Sequence, residues 1–548
     1  MNRNSEQHFA AVPKINIPRS TFPMEFRHVT SFNVGDLIPL LVTEIIPGDT
    51  FQANQHLVAR LSTLITPVMD NLYLDTYAFF VANRILWNHW KELQGENRQG
   101  AWTQTTEYTC PTLTTPTGGA NAKTVMDYMG IPTKIAGLEF NALPIRGYVK
   151  IFNEWFRDQN VTAPLTEYED DTNRTASNTA TELGGAVCKS YKYHDYFTSA
   201  LPAPQKGNPI TLPIGQSAPI LTGADNTQLS TVPLKWIATD GSALTDTRGI
   251  SYIAEQTVAG ATQSLVTNSA RIIPKNLYAD LSNAVAATIN AQRYAFALQR
   301  ILEADSRSGT RYREILKNIF HVVSPDATQQ VPEYLGGKRI PLNISQVEQT
   351  SATGATGTPL AATAGFSVTG DSDRMFTKSF TEHGYLIVLA TVRYNHTYTQ
   401  GLNRQWNHLK RFHFYMPQMA FLGEQEIKNK EIYAQGPSVI NSNTGVAYDE
   451  EAFGFQERWA EYRYIPSMQT AEMRPNYATT LAYWTFADYY TSLPVLSTQF
   501  LTENKDFVDR TLAVSSAVSN QIIMDYLLDI KATRPLPLFS VPSLLDHF

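Results

Sequence analysis

The sequence has few cysteines, few charged residues and no long apolar run. Cys110 and Cys188 are its only cysteines, so neither a disulfide framework nor a cysteine-based zinc site can be built. Charged residues make up 17% of the chain, below the usual quarter. The longest apolar runs, such as residues 386–390, are too short to span a bilayer, and no secretory signal pattern opens the chain. These absences predict a soluble protein, without membrane insertion, that is made in a reducing cytoplasm.

The charge balance also lacks a basic excess. The chain has 44 basic and 50 acidic residues and a net charge of −6, so it is not a protein that wraps nucleic acid by overall charge. Any contact with DNA must therefore be local or helped by another basic component. Aromatic residues make up 11% of the chain, which is typical either of extensive contact between chains or of a β-rich fold with aromatic strands.

Strand-like segments are spread from one end of the chain to the other. They comprise residues 37–46, 56–65, 72–81, 379–393 and 521–531. Two amphipathic helices, over residues 144–158 and from 281 towards 305, lie between them together with long loops. This order predicts a mainly β fold, one antiparallel core that carries insertions, rather than alternating βαβ units.

Composition divides the 548-residue chain into arms, a core and inserted loops. Residues 1–23 and 534–548 contain several prolines and are predicted to be extended arms around a core over 24–533. Residues 208–271 are rich in Gly, Thr and Pro and form a large insertion, and residues 351–373 form a second loop of small residues.

No motif for catalysis or metal binding is present, so we assign no catalytic residue, no metal site and no cofactor. His194 and Asp195 are adjacent but have no nucleophile paired with them. On one strand, Glu457 and Glu461 would lie about 13 Å apart, whereas paired glycosidase carboxylates need about 5 to 9.5 Å. A charged stripe is the better interpretation. Residues 336–339, GGKR, lack the rest of a phosphate-binding loop and are predicted to form a tight turn.

Four cations of the N-terminal region are candidate DNA contacts: Arg3, Lys14, Arg19 and Arg27. Glu6 and Glu25 offset part of their charge. The small net positive charge favours the alternative that these residues anchor the arm on a neighbouring subunit.

Residues 193–207, YHDYFTSALPAPQKG, are aromatic but fit neither strand nor helix periodicity. Pro202 and Pro204 enforce extended backbone, so such a loop needs a surface to cover it. The candidates for packing against the core or a neighbouring subunit are Tyr193, Tyr196, Phe197, Leu201, Trp155 and Trp459.

Several long motifs resemble the major capsid protein of gokushovirus-type microviruses, which are small single-stranded DNA bacteriophages. They include IIPGDTFQANQHLVARL at residues 45–61, PVMDNLYLDTYAFFVANRILWNHW at 67–90, LPIRGYVKIFNEWFRDQN at 143–160 and the loop 193–207. The likeness fades in three low-charge stretches, residues 208–271, 351–373 and 436–450, where variable surface loops are expected.

The resemblance implies a viral jelly roll of eight antiparallel strands with long loop insertions and a few helices. It implies a homo-oligomeric T=1 icosahedral shell around a circular single-stranded DNA genome, with or without a small basic packaging protein. The insertion 208–271 would form a surface protrusion that contacts a host cell-surface receptor. The protein would be located in the virion after assembly in the host bacterial cytoplasm, and it would not be an enzyme.

The alternative hypothesis is a β-sandwich carbohydrate-binding protein or glycoside hydrolase. The same Tyr- and Trp-rich loops would then stack on sugar rings. Uniform hollow particles would favour the capsid, whereas monomers that turn over glycans would favour the enzyme.

Overall fold

The computed structural model describes residues 18–97, 106–210, 220–222, 236–238, 272–274, 277–279, 288–351 and 360–539. Two compact units are formed, one by residues up to 206 and from 304 onwards, the other by residues 207–303. The predicted arm residues 1–17 and 540–548, most of the insertion 208–271 and part of the loop 351–373 lie outside the described residues.

Eight long strands form two antiparallel sheets in the first unit. They are β1 (Ser20–Phe32), β2 (Ile38–Ile45), β3 (Thr50–Leu61), β4 (Leu72–Ala82), β5 (Glu333–Leu342), β6 (Thr369–Ser379), β7 (Gly384–Tyr394) and β8 (Ile522–Arg534). One sheet has the order β1-β8-β3-β6 and the other has the order β5-β4-β7-β2. Two four-stranded sheets with these crossovers make a jelly-roll sandwich that is not closed into a barrel, so the prediction of a mainly β, antiparallel fold is confirmed.

The main core lies between the two sheets. Strand β8 alternates between core and surface, because Ile522, Met524 and Tyr526 are fully buried while Ile523, between the first two, is exposed. Leu72 and Leu386 of the opposite sheet belong to the same buried cluster. The alternation predicted for residues 521–531 is thus the inward and outward alternation of a half-buried strand.

The second sheet is also covered on its outer face. Phe79 of β4 and Ile387 of β7 pack there against helix α1 (Leu143–Ile151), which continues as a π-helical turn, Phe152–Phe156. Tyr148 of this helix is fully buried, and its hydroxyl donates to the Leu37 carbonyl at 2.7 Å. Burial on both sides explains why residues 72–81 are apolar on both faces.

The remaining elements are two longer helices, several single-turn helices and short strands. The longer helices are α2 (Ile289–Ser308) and α3 (Tyr312–Ile319), and single-turn helices comprise Trp90–Leu93, Val125–Tyr128, Asp326–Gln329, Asn429–Ile432, Thr498–Leu501 and Asp506–Asp509. Short strands of the first unit comprise Thr112–Thr114, Glu139–Asn141, Arg174–Thr175, Ile344–Glu348, Thr363–Ser367, Glu424–Lys428 and Ala452–Glu457. In the second unit, Ile220–Thr222 pairs with Leu277–Ala279, and Trp236–Ala238 pairs with Ile272–Pro274. Among the helices of the described ranges, none is long and apolar enough to span a bilayer.

Two local predictions differ from the structure. Residues 336–339 lie inside β5 rather than in a turn, because the missing side chains of Gly336 and Gly337 let the strand pass close to the Met375 and Thr76 carbonyls. The strand predicted over residues 379–393 is divided, since β6 ends at Ser379 and β7 begins at Gly384.

Strand β1 begins at Ser20, inside the segment predicted as an arm, and pairs with β8 from Ser20 opposite Arg534 onwards. Strand β1 lies at the edge of its sheet and pairs with a neighbour on one side only. Pro23 fits there because the N–H donor that proline lacks is not needed for pairing with a second strand.

Candidate assembly surface

Three side-chain hydrogen bonds hold the first residues of the loop 193–207 against other parts of the same chain. Tyr193 donates its hydroxyl to Asp75 Oδ2 at 2.8 Å. Asp195 accepts from the Tyr398 hydroxyl at 2.8 Å, and Tyr196 donates to Glu431 Oε2 at 3.1 Å. The start of the loop is therefore held by side chains from distant parts of the sequence, those of Asp75, Tyr398 and Glu431.

Apolar contacts continue this attachment. Tyr196, Phe197 and Leu201 are buried. The Phe197 ring lies 4.8 Å from the Tyr398 ring in an edge-to-face arrangement, and Leu201 exchanges backbone hydrogen bonds with Phe455 at 2.6 and 2.7 Å. The surface that this loop needs is supplied by its own chain, and a role for these residues in contacts between subunits stays a prediction.

A fully buried ionic cluster lies next to the loop. Lys192 Nζ is 3.0 Å from Asp488 Oδ2, and the two ring nitrogens of His396 are each 2.7 Å from a carboxylate oxygen, one of Asp488 and one of Glu503. Burial alone would lower the pKa of His396, but the two carboxylates outweigh it and raise this pKa to about 9. Burial opposes ionisation of Asp488 too, yet His396 and Lys192 hold its pKa below the usual value.

The two predicted tryptophans occupy different environments. Trp155 is half-buried in the π-helical turn, where Nε1 donates to the Pro332 carbonyl at 2.8 Å and the Arg313 guanidinium lies 4.2 Å from the ring. Trp459 is buried, and its Nε1 donates to the Met419 carbonyl at 3.2 Å. Both rings thus pack within the chain.

Trp459 joins two segments, residues 415–422 and 459–468, which we call the exposed apolar segments. The Tyr415 ring lies 5.5 Å from Trp459 and 6.1 Å from Tyr462. Beyond these contacts, Phe421 is 98% exposed and Ile465 is 97% exposed. Isolated exposed apolar residues are ordinary, but clustered ones mark a surface that binds a partner.

The candidate DNA contacts are only partly described. Arg3 and Lys14 lie outside the described residues. Arg27 forms a bidentate ion pair with Asp525, with nitrogen–oxygen distances of 2.9 and 2.6 Å, and Arg19 donates to the Gly48 carbonyl and to Thr50 Oγ1. Pairing with Asp525 neutralises much of the charge that Arg27 would offer to a phosphate.

The residues that the sequence offered as catalytic candidates form other contacts or lie apart from one another. Asp195 accepts hydrogen bonds from the backbone of Phe197 and Thr198, as in a turn, while His194 is exposed. Glu457 ends a strand and pairs with Arg463, whereas Glu461 lies in a following 3₁₀ turn. No group of three metal-ligating side chains occurs in the part of the chain that the structure describes.

Sequence reasoning missed the buried ionic cluster and the exposed apolar segments. The cluster carries no local signal, because its members come from separate parts of the chain. The apolar segments follow a stretch with a detectable signal, since no acidic residue occurs between Glu382 and Glu424 although aromatic and basic residues are frequent there.

Comparisons with known proteins agree with this architecture. The family described as Capsid protein (F protein) matches residues 10–544. Capsid protein VP1 of Bdellovibrio phage phiMH2K is 38% identical, with 100% of this chain and 99% of that protein aligned. Capsid protein VP1 of Spiroplasma virus 4 is 40% identical over 96% of each chain, and that of Chlamydia phage 1 is 35% identical over 98% and 97%.

These matches confirm the resemblance on which the prediction of a capsid protein depended. They also show that the glycoside hydrolase alternative is wrong, because the family and the relatives are structural proteins rather than enzymes. A jelly-roll sandwich that is matched along nearly its whole length leads to one conclusion: the chain belongs to the Capsid protein (F protein) family.

Proposed function

We propose that copies of this chain, as the major capsid protein of a microvirus, assemble into a T=1 icosahedral shell that encloses a circular single-stranded DNA genome. The observation that carries the proposal is the pair of exposed apolar segments, 415–422 and 459–468. Phe421 and Ile465 are almost fully exposed, and Met468 is 78% exposed. Such a surface is stabilised when it is removed from water, and in a capsid protein the partner that covers it is a neighbouring copy.

The segments are suited to this contact because they are held in place before a partner arrives. Trp459 is buried beneath them, and its hydrogen bond to the Met419 carbonyl joins one segment to the other. A surface that is already ordered loses less conformational entropy when a neighbour docks. Apolar contact at the centre of an interface with polar groups around it is the arrangement that stable assemblies use.

The experiment is a double substitution at this surface. Phe421→Ser with Ile465→Ser should leave a folded monomer but prevent closed particles, as judged by negative-stain microscopy and size-exclusion chromatography. Val518→Ser, at a position that is 80% exposed elsewhere in the same unit, is the matched control and should assemble normally. Normal particles from the double variant would remove the main support for the proposal.

The finer parts of the proposal concern the genome and the host. Because the chain has a net charge of −6, we propose that a basic packaging component neutralises part of the DNA charge. We propose that the insertion 208–271 contacts a host cell-surface receptor, that the assembled protein is located in the virion and that assembly takes place in the bacterial cytoplasm.

The host contact can be tested by removing the insertion. Leu277–Ala279 pairs with Ile220–Thr222, so the replacement should extend over residues 208–279 to avoid leaving an unpaired strand. Particles with a short Gly-Ser linker at this position should form but adsorb poorly to host cells. Normal adsorption would contradict the role of the insertion.

A further inference from the structure

A cavity of about 710 Å³ lies between residues 404–413 and the two-stranded sheet formed by Glu424–Lys428 and Ala452–Glu457. Its volume is in the range of sites that hold a small organic ligand. The side chains that matter here are those of Asn407, His408, Lys410, Phe412, Arg458 and Trp459. None of them has a role in the contacts proposed above, except that Trp459 supports the exposed apolar segments from beneath.

The wall of this cavity holds polar atoms whose hydrogen-bonding capacity is unused. Asn407 Nδ2, His408 Nε2 and Arg458 Nε are buried and have no hydrogen-bond partner among the described residues. His408 Nε2 is 3.6 Å from the nearest Glu461 oxygen, beyond hydrogen-bond distance. Buried polar groups are normally satisfied, so three unsatisfied ones at one cavity indicate a ligand that supplies acceptors.

The charges at the cavity favour an anion. Lys410 and Arg458 form no ion pair with any residue that the structure describes. The carboxylates nearby are largely neutralised, because Glu431 pairs with Arg404 at 3.0 Å, Glu424 pairs with Arg307 and Glu450 pairs with both Lys428 and Lys430. Glu426 also lines the cavity, but it is exposed, so water screens its repulsion.

An aromatic ring at the cavity has a free face. Phe412 is 61% exposed, and the Arg411 guanidinium lies 5.7 Å from the centre of its ring. Within the cavity, the Arg458 guanidinium lies 5.3 Å from the Trp459 ring. Proteins bind single-stranded nucleic acid through exposed aromatic rings beside unpaired cations, because the bases stack on the rings while the phosphates pair with the cations.

We infer that this cavity binds one nucleotide unit of single-stranded DNA, with Lys410 and Arg458 on the phosphate, the unsatisfied donors on polar atoms of the base or sugar, and Phe412 stacked on the base. The inference deepens the proposed enclosure of a single-stranded genome and rests on it. An acidic segment of a second copy would pair with the cations but would leave the face of Phe412 unused. The nucleotide accounts for the cations, the donors and the ring together.

The test measures binding of a fluorescein-labelled twelve-nucleotide oligothymidylate to the full-length protein by fluorescence anisotropy, over a range of salt concentrations. Lys410→Gln with Arg458→Gln should lower the affinity by about tenfold and reduce the slope of log affinity against log salt by about 0.7, the contribution of one neutralised phosphate on a single strand. Phe412→Leu should lower the affinity at least about fivefold without changing that slope. The matched control, Lys91→Gln with Lys317→Gln, removes the same charge at exposed positions outside the cavity and should change affinity less than about twofold.

Photocrosslinking of wild-type protein to an oligonucleotide that contains 5-bromodeoxyuridine gives an independent readout. Crosslinks on residues 404–413 or 455–459 support the inference, and crosslinks confined to other regions overturn it. Equal affinities for the cavity variant and its control also overturn it. If the cavity variant binds DNA normally but forms no particles, the cavity is a contact between subunits and the inference is wrong.

Both readouts are independent of particle formation, which is scored separately by microscopy. If wild-type protein formed no closed shells, the proposed function would fail while the anisotropy and crosslinks still reported on the cavity. If shells formed normally and crosslinks lay elsewhere, only the nucleotide site would fail.

Discussion

Tyr193 donates a 2.8 Å hydrogen bond to Asp75, which lies 118 residues earlier in the sequence and is buried in strand β4. Asp75 also accepts from Arg339 and Arg393, each with a 3.0 Å bond from Nε. One buried carboxylate therefore joins the aromatic loop to strands β4, β5 and β7 of one sheet. The loop is held by the same charge compensation that makes a buried aspartate tolerable in this core.

Substitution of Tyr193 tests this attachment. Tyr193→Phe removes one hydrogen bond to a charged, buried acceptor and should lower the free energy of unfolding by about 1.5 to 3 kcal/mol. Urea denaturation of the unassembled protein measures the change. Tyr312→Phe, at an exposed tyrosine, is the control and should have almost no effect. Equal stability of the two variants would show that the hydrogen bond is not a significant anchor.

The His396 cluster predicts how stability depends on pH. Its folded pKa of about 9 exceeds the ordinary value of 6.5, so its contribution is present in full below about pH 6.5 and is lost as the pH rises through about 9. The difference between these two pKa values corresponds to about 3 kcal/mol. His396→Gln should therefore flatten the fall in unfolding free energy between pH 7 and 10. The exposed His194→Gln should retain the wild-type profile, and a wild-type profile in both would refute the assignment.

One methyl group added at a glycine inside strand β5 should have a large effect on the stability of the protein. A Cβ atom at Gly337 would overlap the Thr76 carbonyl oxygen, and backbone cannot yield as a side chain can. Gly337→Ala should destabilise the protein by about 1 to 3 kcal/mol, as overpacking of a core does. At Gly370 of strand β6 the nearest atom would be 4.0 Å away, so Gly370→Ala serves as the control. Thermal denaturation of both variants gives the comparison, and similar melting temperatures would count against the close approach.

The boundary of the N-terminal arm gives a prediction about truncation. Removal of residues 1–17 leaves β1 complete, so the unassembled protein should unfold at the same urea concentration as the full chain but should not form closed particles. Removal of residues 1–23 also deletes the pairs from Ser20 to Pro23 with β8 and should lower stability. Circular dichroism and negative-stain microscopy separate the two effects. Normal shells from the shorter truncation would argue against an assembly role for the arm.

Local pattern predicted the elements whose burial follows a simple period. The alternation of β8 and the apolar stripe of α1 are visible in the sequence because one face of each meets the core. The pattern failed at Gly336 and Gly337, since two adjacent glycines usually indicate a turn, whereas here they permit a close approach between strands. What decides that position is the neighbouring backbone, which local sequence does not describe.

The site was less predictable than the fold. Lys192 and Asp488 are 296 residues apart, and neither stands in a motif that would identify its partner. The acid-free stretch between Glu382 and Glu424 is visible in the sequence, but the exposure of Phe412 and Phe421 within it depends on how the long connection between β7 and β8 folds. Burial, and with it the distinction between core and contact surface, is a property of the tertiary structure.

The pairing of β1 with β8 has a consequence for synthesis. Strand β8 lies between β1 and β3 in its sheet, so the first strand of the jelly roll stays without a neighbour on that side until translation has passed Arg534. A chain that stops before Ile522 lacks β8 and cannot complete the sheet, even when all of its other strands are present. The topology thus acts as a check on completeness, because a prematurely terminated product lacks the strand that joins β1 to β3.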